Sequence, residues 1–234
     1  MIYITGDTHG NIDRFNISQT KKFNQDDVLI VCGDFGFIWN GDNHEDQLLN
    51  KLSKKKFTIC FVDGTHENFS LLNNFPVISW NNGKVHKIRN NIFHLMRGEI
   101  FNINGETLFA LGGGESPNKE ERISVGNWWQ EELPSDLQIS YAEQNLNSVG
   151  NSVDYVVTHI PPLSVRKSLV GNIPYVNSFD IFLTKLSENL NYKKWFFGSL
   201  HIDRKITSKY YSVFDNIIST KPSPKKCCGF FKKH

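Results

Sequence analysis

The sequence predicts an α/β fold, and three observations predict it. First, apolar runs of three to five residues alternate with a helical pattern through the first 62 positions, the spacing of βαβ units around a parallel sheet. Second, residues 77–111 break into short runs, and Asn104-Gly105 joins two of them. Both residues tolerate the positive φ of a type I′ turn, so this is an antiparallel hairpin segment. Third, after a polar stretch, helical and strand patterns alternate again to about residue 214.

In order, Ile2-Tyr3-Ile4 is a buried strand that delivers the loop Thr5-Gly6-Asp7-Thr8-His9-Gly10 at its carboxyl end. Asn11 is placed to cap a short helix running to about residue 20. Val28-Leu29-Ile30-Val31-Cys32 is a second buried strand, ending at Gly33-Asp34. Residues 44–55 read as an amphipathic helix with Leu48, Leu49 and Leu52 on one face. Residues 57–62 form a third strand, ending at Asp63-Gly64-Thr65-His66-Glu67. The antiparallel runs are 85–88, 91–95, 99–103 and 107–111, closed by Gly112-Gly113-Gly114. That triplet is no dinucleotide fingerprint, since the G-x-G-x-x-G spacing and the following helix are absent. A polar stretch, 115–135, carries Arg122 and Trp128-Trp129; a helix over 136–148 follows. Residues 153–157 are a strand ending at Thr158-His159, 179–190 a helix, 195–197 a short strand ending at Gly198-Ser199-Leu200-His201, and 210–214 a last strand.

Composition narrows the function classes. No apolar run approaches the ~20 residues of a membrane span, and the first strand begins too early for a signal peptide. The cysteines fit neither a zinc ribbon nor a disulfide framework, so a reducing cytoplasm is the expected compartment. Cys32 and Cys60 lie in apolar runs and read as core residues. The net charge of +2 is carried by the last fourteen residues, which hold five lysines and no acid; residues 1–220 sum to −3. A slightly acidic body argues against bulk nucleic-acid binding. Residues 221–234 read as a basic, disordered tail outside the domain of residues 1–220, with weak contact to an anionic membrane surface as its sharper expectation.

The chemistry lies at strand ends. Asp7 and His9, two residues apart in an extended loop, can share one cation. A carboxylate with a neutral imidazole suits a divalent ion such as manganese, iron or zinc. Asp34, His66, His159 and His201 recur at the ends of four further strands, the edge at which open α/β sheets bind ligands. His44, His86, His94 and His234 lack this context and read as surface or packing residues.

Asp-x-His, Gly-Asp, Gly-x-His-Glu, His and Gly-x-x-His, in this order, resemble the calcineurin-like metallophosphoesterase superfamily over residues 1 to about 215; the stretch 112–135 resembles a bacterial and phage branch of it. The resemblance implies a four-layer α/β/β/α sandwich of two mixed sheets with a two-metal site at the strand ends. It implies Asp7, His9, Asp34 and His201 around a first, tight metal. Asp34 and His159 are what remain around a second, because Thr65 and Ser199 stand where the family has Asn and His. The second ion is therefore expected to be weak or missing. The implied reaction is hydrolysis of a phosphomonoester or phosphodiester by a metal-activated hydroxide, with Asp34 bridging, His66 beside the leaving oxygen and Arg122 gripping a phosphate. The implied substrates are a phosphorylated small molecule, a nucleotide or a phosphoprotein. The alternative is a non-catalytic relative that binds a phosphorylated ligand or a protein partner. Arg is missing just after Gly33-Asp34, which sets the chain apart from the eukaryotic Ser/Thr phosphatases.

Overall fold

Every residue of β2 (Val28–Cys32) is buried. A strand covered on both faces needs a layer on each side, and the alternation of its side chains shows what they are. Val28, Ile30 and Cys32 join one apolar cluster, whereas Leu29 and Val31 join another. The computed structural model, which describes residues 1–173 and 175–221, resolves these layers as two sheets packed face to face with helices outside each.

The first sheet has the order β13-β1-β2-β3-β6-β5-β4, with β1 Ile2–Thr5, β2, β3 Thr58–Val62, β4 Val77–Trp80, β5 Gly83–Arg89, β6 Ile92–Leu95 and β13 Ile218–Ser219. The second has the order β11-β12-β10-β9-β8-β7, with β7 Glu99–Ile103, β8 Glu106–Leu111, β9 Ser152–Thr158, β10 Asn191–Phe197, β11 Arg204–Lys205 and β12 Tyr210–Ser212. Both are mixed. The β1-β2-β3-β6 and β8-β9-β10-β12 pairings are parallel, and the hairpins β4-β5-β6 and β7-β8 are antiparallel.

Three clusters hold the layers together. Ile4, Ile30 and Val62 meet Leu108, Val157 and Phe196 between the sheets. Leu49 and Leu52 of α1 (Asn43–Leu52) cover the outer face of the first sheet. Leu146 of α4 (Asp136–Ser148) and Phe182 and Leu183 of α6 (Ser178–Asn189) cover the second. Cys32 and Cys60 lie in the central cluster as free, wholly buried thiols. Truncating a core residue such as Leu52 to Ala is the kind of change that costs about 2–5 kcal/mol.

Local chemistry explains where the elements depart from the expected pattern. The helix expected after Asn11 is instead two 3-10 turns, Ile12–Phe15 and Thr20–Lys22. Asn11 does cap the first through the Asp13 amide, but the intervening Asn16-Ile17-Ser18 has poor helix propensity. β4, an exposed edge strand with Val77 half out in solvent, has no buried face to leave a pattern. The polar stretch contains a short helix, α3 (Lys119–Ser124), and Pro162 opens α5 (Leu163–Val170). α2 (Phe69–Leu72) is a single turn capped by Asn68. No helix among the described residues is long and apolar enough to cross a membrane. The expectations for the tail concern residues 221–234, of which 222–234 lie outside those described; Lys221 is described and pairs with Glu106 at 3.4 Å.

Candidate metal centre

The five strands that carry candidate ligands are adjacent within their sheets. β1, β2 and β3 run parallel side by side, as do β9 and β10. Their carboxyl ends open on one edge of the sandwich, and the Thr5 hydroxyl and the Gly6 amide of the first sheet both donate to the Phe214 carbonyl just beyond β12 of the second. A ligand that is remote in sequence thus becomes a neighbour in space.

Backbone conformation turns these side chains together. Among the described residues eight other than glycine have positive φ; four are asparagines, and the other four are His9, Asp34, Ser199 and His201, with φ of 44°, 48°, 53° and 52°. Left-handed backbone in such residues costs of order 1–3 kcal/mol each and concentrates at functional sites. Two glycines allow the close approach. A Cβ on Gly33 would lie 2.1 Å from His159 Nδ1, and one on Gly198 would lie 2.0 Å from Asp7 Oδ1.

Two trios of ligand atoms result, Asp7/His9/His201 and Asp7/Asp34/His159, each with its donor atoms within 4.8 Å of one another. In the first, His201 Nε2 lies 3.1 Å from both Asp7 Oδ2 and His9 Nε2. In the second, His159 Nε2 lies 3.7 Å from Asp34 Oδ1, and His159 Nδ1 donates to the Cys32 carbonyl at 3.0 Å. That bond fixes the tautomer that presents Nε2 as the ligand atom. His9 Nε2 stands 4.0 Å from Asp34 Oδ2, so Asp34 lies between the trios.

The electrostatics match a site that expects a cation. Burial pushes the Asp34 carboxyl up, but the charge of His159 and the hydrogen bonds and charge of His66 outweigh it and hold Asp34 well below the ordinary carboxylate range. Burial lowers His159, yet Asp34 and Asp7 reverse the balance and raise it. A hydrogen bond to Asp7 raises His201. Burial lowers His9, more than Asp34 and Asp7 restore.

The donor set fits a divalent ion. Two carboxylates and three imidazoles converge, an N/O set suited to manganese, iron or zinc. Ser199 Oγ is buried with no partner, a polar atom that only an ion, water or substrate would satisfy. Thr65 is buried as well, with Oγ1 3.1 Å from His66 Nδ1. His66 is bound to Asp34 twice, by its amide to Oδ1 at 2.8 Å and by Nδ1 to Oδ2 at 3.0 Å. Its Nε2 has no partner among the described residues, and its side chain is 42% exposed.

Arg122 is placed differently from the expectation. It is 4% exposed and lies under the Asp63–Thr65 loop instead of over the cleft. Its nitrogens are engaged by the Thr65 and Asn127 carbonyls, Ser116 and Glu132. The family resemblance implied that Arg122 grips a phosphate; instead it pairs with the buried Glu132 ten residues later. Other participants gave little signal in sequence. Glu67 is buried and accepts from the Phe35 amide at 2.9 Å, with its carboxyl raised by burial and by Asp34. His94 and His86, read as surface or packing residues, are buried in a chain from Asp63 Oδ1 to His94 Nε2 (3.0 Å) and from His94 Nδ1 to His86 Nδ1 (2.9 Å). His44 is exposed.

The family model for calcineurin-like phosphoesterases matches residues 1–203. No curated protein matches the sequence. Among solved structures, one described as a putative 5'-nucleotidase from Staphylococcus aureus in complex with alpha-ketoglutarate is 16% identical, with a TM-score of 0.48. The alignment covers 91% of this chain and 48% of that one, so this chain spans about half its length.

Proposed function

Because the chain belongs to the calcineurin-like phosphoesterase family, we propose that it is a metal-dependent hydrolase of a phosphomonoester or phosphodiester. The observation that carries this reading is the convergence of Asp7, His9, Asp34, His159 and His201 at one cleft beside a half-exposed His66. Manganese, iron or zinc would supply Lewis-acid polarisation of the phosphoryl group and a nucleophile active at neutral pH. Asp7, His9 and His201 would hold the first ion with Asp34 beside it. Asp34 and His159 would hold a second, with Thr65 and Ser199 offering only neutral oxygens, poor donors compared with imidazole.

His66 fits the task at the leaving oxygen. Asp34 fixes one face of its ring, and Nε2 is left to the cleft. With Nδ1–H given to Asp34, the ring would donate a proton or a hydrogen bond from Nε2 only as the imidazolium, whose charge Asp34 offsets as charge develops on the departing oxygen. Asp34 thereby has two duties, setting the orientation of His66 and neutralising positive charge between the trios. The substrate would be a phosphorylated small molecule, a nucleotide or a phosphoprotein.

Thr65 and Ser199 favour a second reading, a non-catalytic relative that binds a phosphorylated ligand or partner. Titration of the metal-free protein with manganese, iron and zinc, followed by assays on aryl phosphomonoesters and phosphodiesters, separates the two. Metal-dependent turnover supports the enzyme. Tight metal binding with no turnover on either substrate class sinks it and leaves the binding protein.

A further inference from the structure

Two buried arginines bracket the loop that carries His66, and both fasten it to the same residue of the polar stretch. At its start, Arg97 Nε and Nη2 donate to Asp63 Oδ2 at 2.9 and 2.5 Å, while Nη2 also donates to the Glu131 and Glu132 carbonyls at 2.7 and 3.2 Å. At its end, Arg122 Nη1 donates to the Thr65 carbonyl at 2.7 Å and pairs with the Glu132 carboxylate. Glu132 is 1% exposed, and its other oxygen accepts from the Ser116 hydroxyl at 2.7 Å.

The Thr65 carbonyl and the His66 amide belong to one peptide unit. Arg122 holds the oxygen of that unit, and the nitrogen of the same unit donates to Asp34 Oδ1 at 2.8 Å. The plane of this peptide is therefore fixed from both sides, by a guanidinium behind and a site carboxylate in front. A cation on the carbonyl also polarises the unit and strengthens its N–H as a donor.

We propose that Arg122 is a positioning residue for the reaction, orienting the Thr65–His66 peptide and through it the His66 ring and Asp34. Arg97 anchors the other end of the loop, and the stretch 112–135 is the frame to which both are tied. A planar fork is what the task requires, since one guanidinium reaches the Thr65 and Asn127 carbonyls from two nitrogens while it pairs with Glu132. The catalytic consequence rests on the phosphoesterase reading; the orientation of the peptide does not.

The test uses Arg122→Lys, which keeps the charge and loses the fork, and Glu132→Gln, which keeps the shape and loses the counter-charge. Both are first checked for a native circular dichroism spectrum, and a variant without one is set aside in favour of the other. Amide hydrogen exchange on the metal-free proteins reports the orientation without any activity. Faster exchange at the His66 amide, with protection at the Ile30 and Phe61 strand amides unchanged, is expected. In the manganese-loaded proteins kcat should fall roughly 10–100-fold, as for partners that orient a ligand from behind. KM should stay nearly constant, and the loss should be larger for an alkyl than for a nitrophenyl leaving group, because His66 serves the leaving oxygen. If the parent is inactive on every phosphoester, the reaction assignment fails while the exchange result still decides the clamp. Unchanged His66 exchange in a folded variant overturns the proposal, as does a kcat loss equal for both leaving groups.

Discussion

His9 and His201 keep 41% and 49% of their side chains in solvent, whereas His159 keeps 1%. The two trios that share Asp7 are built on opposite principles. In the buried trio the protein has answered the charges itself: His159 lies between Asp7 and Asp34, the Cys32 carbonyl orients its ring, and His66 occupies both oxygens of Asp34. A buried carboxylate left unpaired would be strongly destabilising, and here both carboxylates are paired, although the Ser199 hydroxyl stays buried without a partner. In the exposed trio two imidazole nitrogens face each other across 3.1 Å, and both rings stand open to solvent. The two halves meet their charges differently: the closed half answers them with its own residues, and the open half leaves two ring nitrogens turned toward one point at the surface.

The largest expected effect breaks the comparison at the residue between the halves. Asp34→Ala removes the carboxylate that lies beside His9 and His159 and anchors His66. Phosphoesterase activity should fall roughly 10³-fold or more, the scale on which loss of a central catalytic group acts, and bound metal should be lost. Full metal content by elemental analysis would contradict the assignment.

A smaller effect turns the closed half toward the open one. Thr65→Asn with Ser199→His supplies the donors that half lacks. Metal stoichiometry should rise from about one toward two, and kcat by about tenfold, or ~1.4 kcal/mol of barrier. Each single change should do less than the pair. Two bound ions with unchanged turnover would favour the non-catalytic reading.

The closed half can also be compared with a second buried charge, that of the Asp63–His94–His86 chain. Burial and the neighbouring His94 push His86 down to about 4, against a smaller opposing pull from Asp63; Arg97 lies on Asp63 across the same chain. The folded-state value lies below the unfolded value of about 6.5. As pH falls from about 6.5 to about 4 the unfolded chain takes up a proton that the folded one refuses, so stability declines across that window and levels off below it. The loss is on the order of 1–3 kcal/mol. Urea midpoints across this range should slope for the parent and flatten for His86→Gln; parallel slopes would show that His86 is not responsible.

What the sequence made legible follows the same division. Candidate site residues at strand ends were readable because Gly-Asp, Gly-x-His and Gly-x-x-His cut off apolar runs at Asp7, Asp34, His66 and His201, and His159 follows directly on the apolar run of its strand. The parallel sheets were readable from runs such as Val28–Cys32, buried on both faces. Contacts that depend on partners remote in the chain were not. Nothing local to Arg122 announces Glu132 or the Thr65 carbonyl, and Arg97 sits 34 residues from its partner Asp63. The left-handed backbone at His9, Asp34, Ser199 and His201 was equally hidden, because these residue types have no intrinsic demand for positive φ.

The smallest expected effect sharpens the contrast by touching only the open half. The His201 ring is held on one side by Asp7 and on the other by Phe214, stacked at 4.6 Å between centroids and 20° between planes. Arg14 lies over the same Phe214 ring at 5.4 Å and donates to the Asp7 carbonyl at 3.1 Å, so the stack is itself anchored to the first strand. An exposed ligand without such support would spend part of its time turned away from the ion. Aromatic pairs of this kind are worth about 0.5–1.5 kcal/mol, which corresponds to roughly 2- to 12-fold in Kd. Phe214→Leu keeps the bulk and removes the stacking face. Calorimetric titration with manganese should show affinity at the first ion weakened by about that factor, while His159, with no contact to Phe214, keeps its hydrogen bond to the Cys32 carbonyl. Affinity equal to that of the parent would mean that Asp7 alone orients His201, and that the open half is as self-sufficient as the closed one.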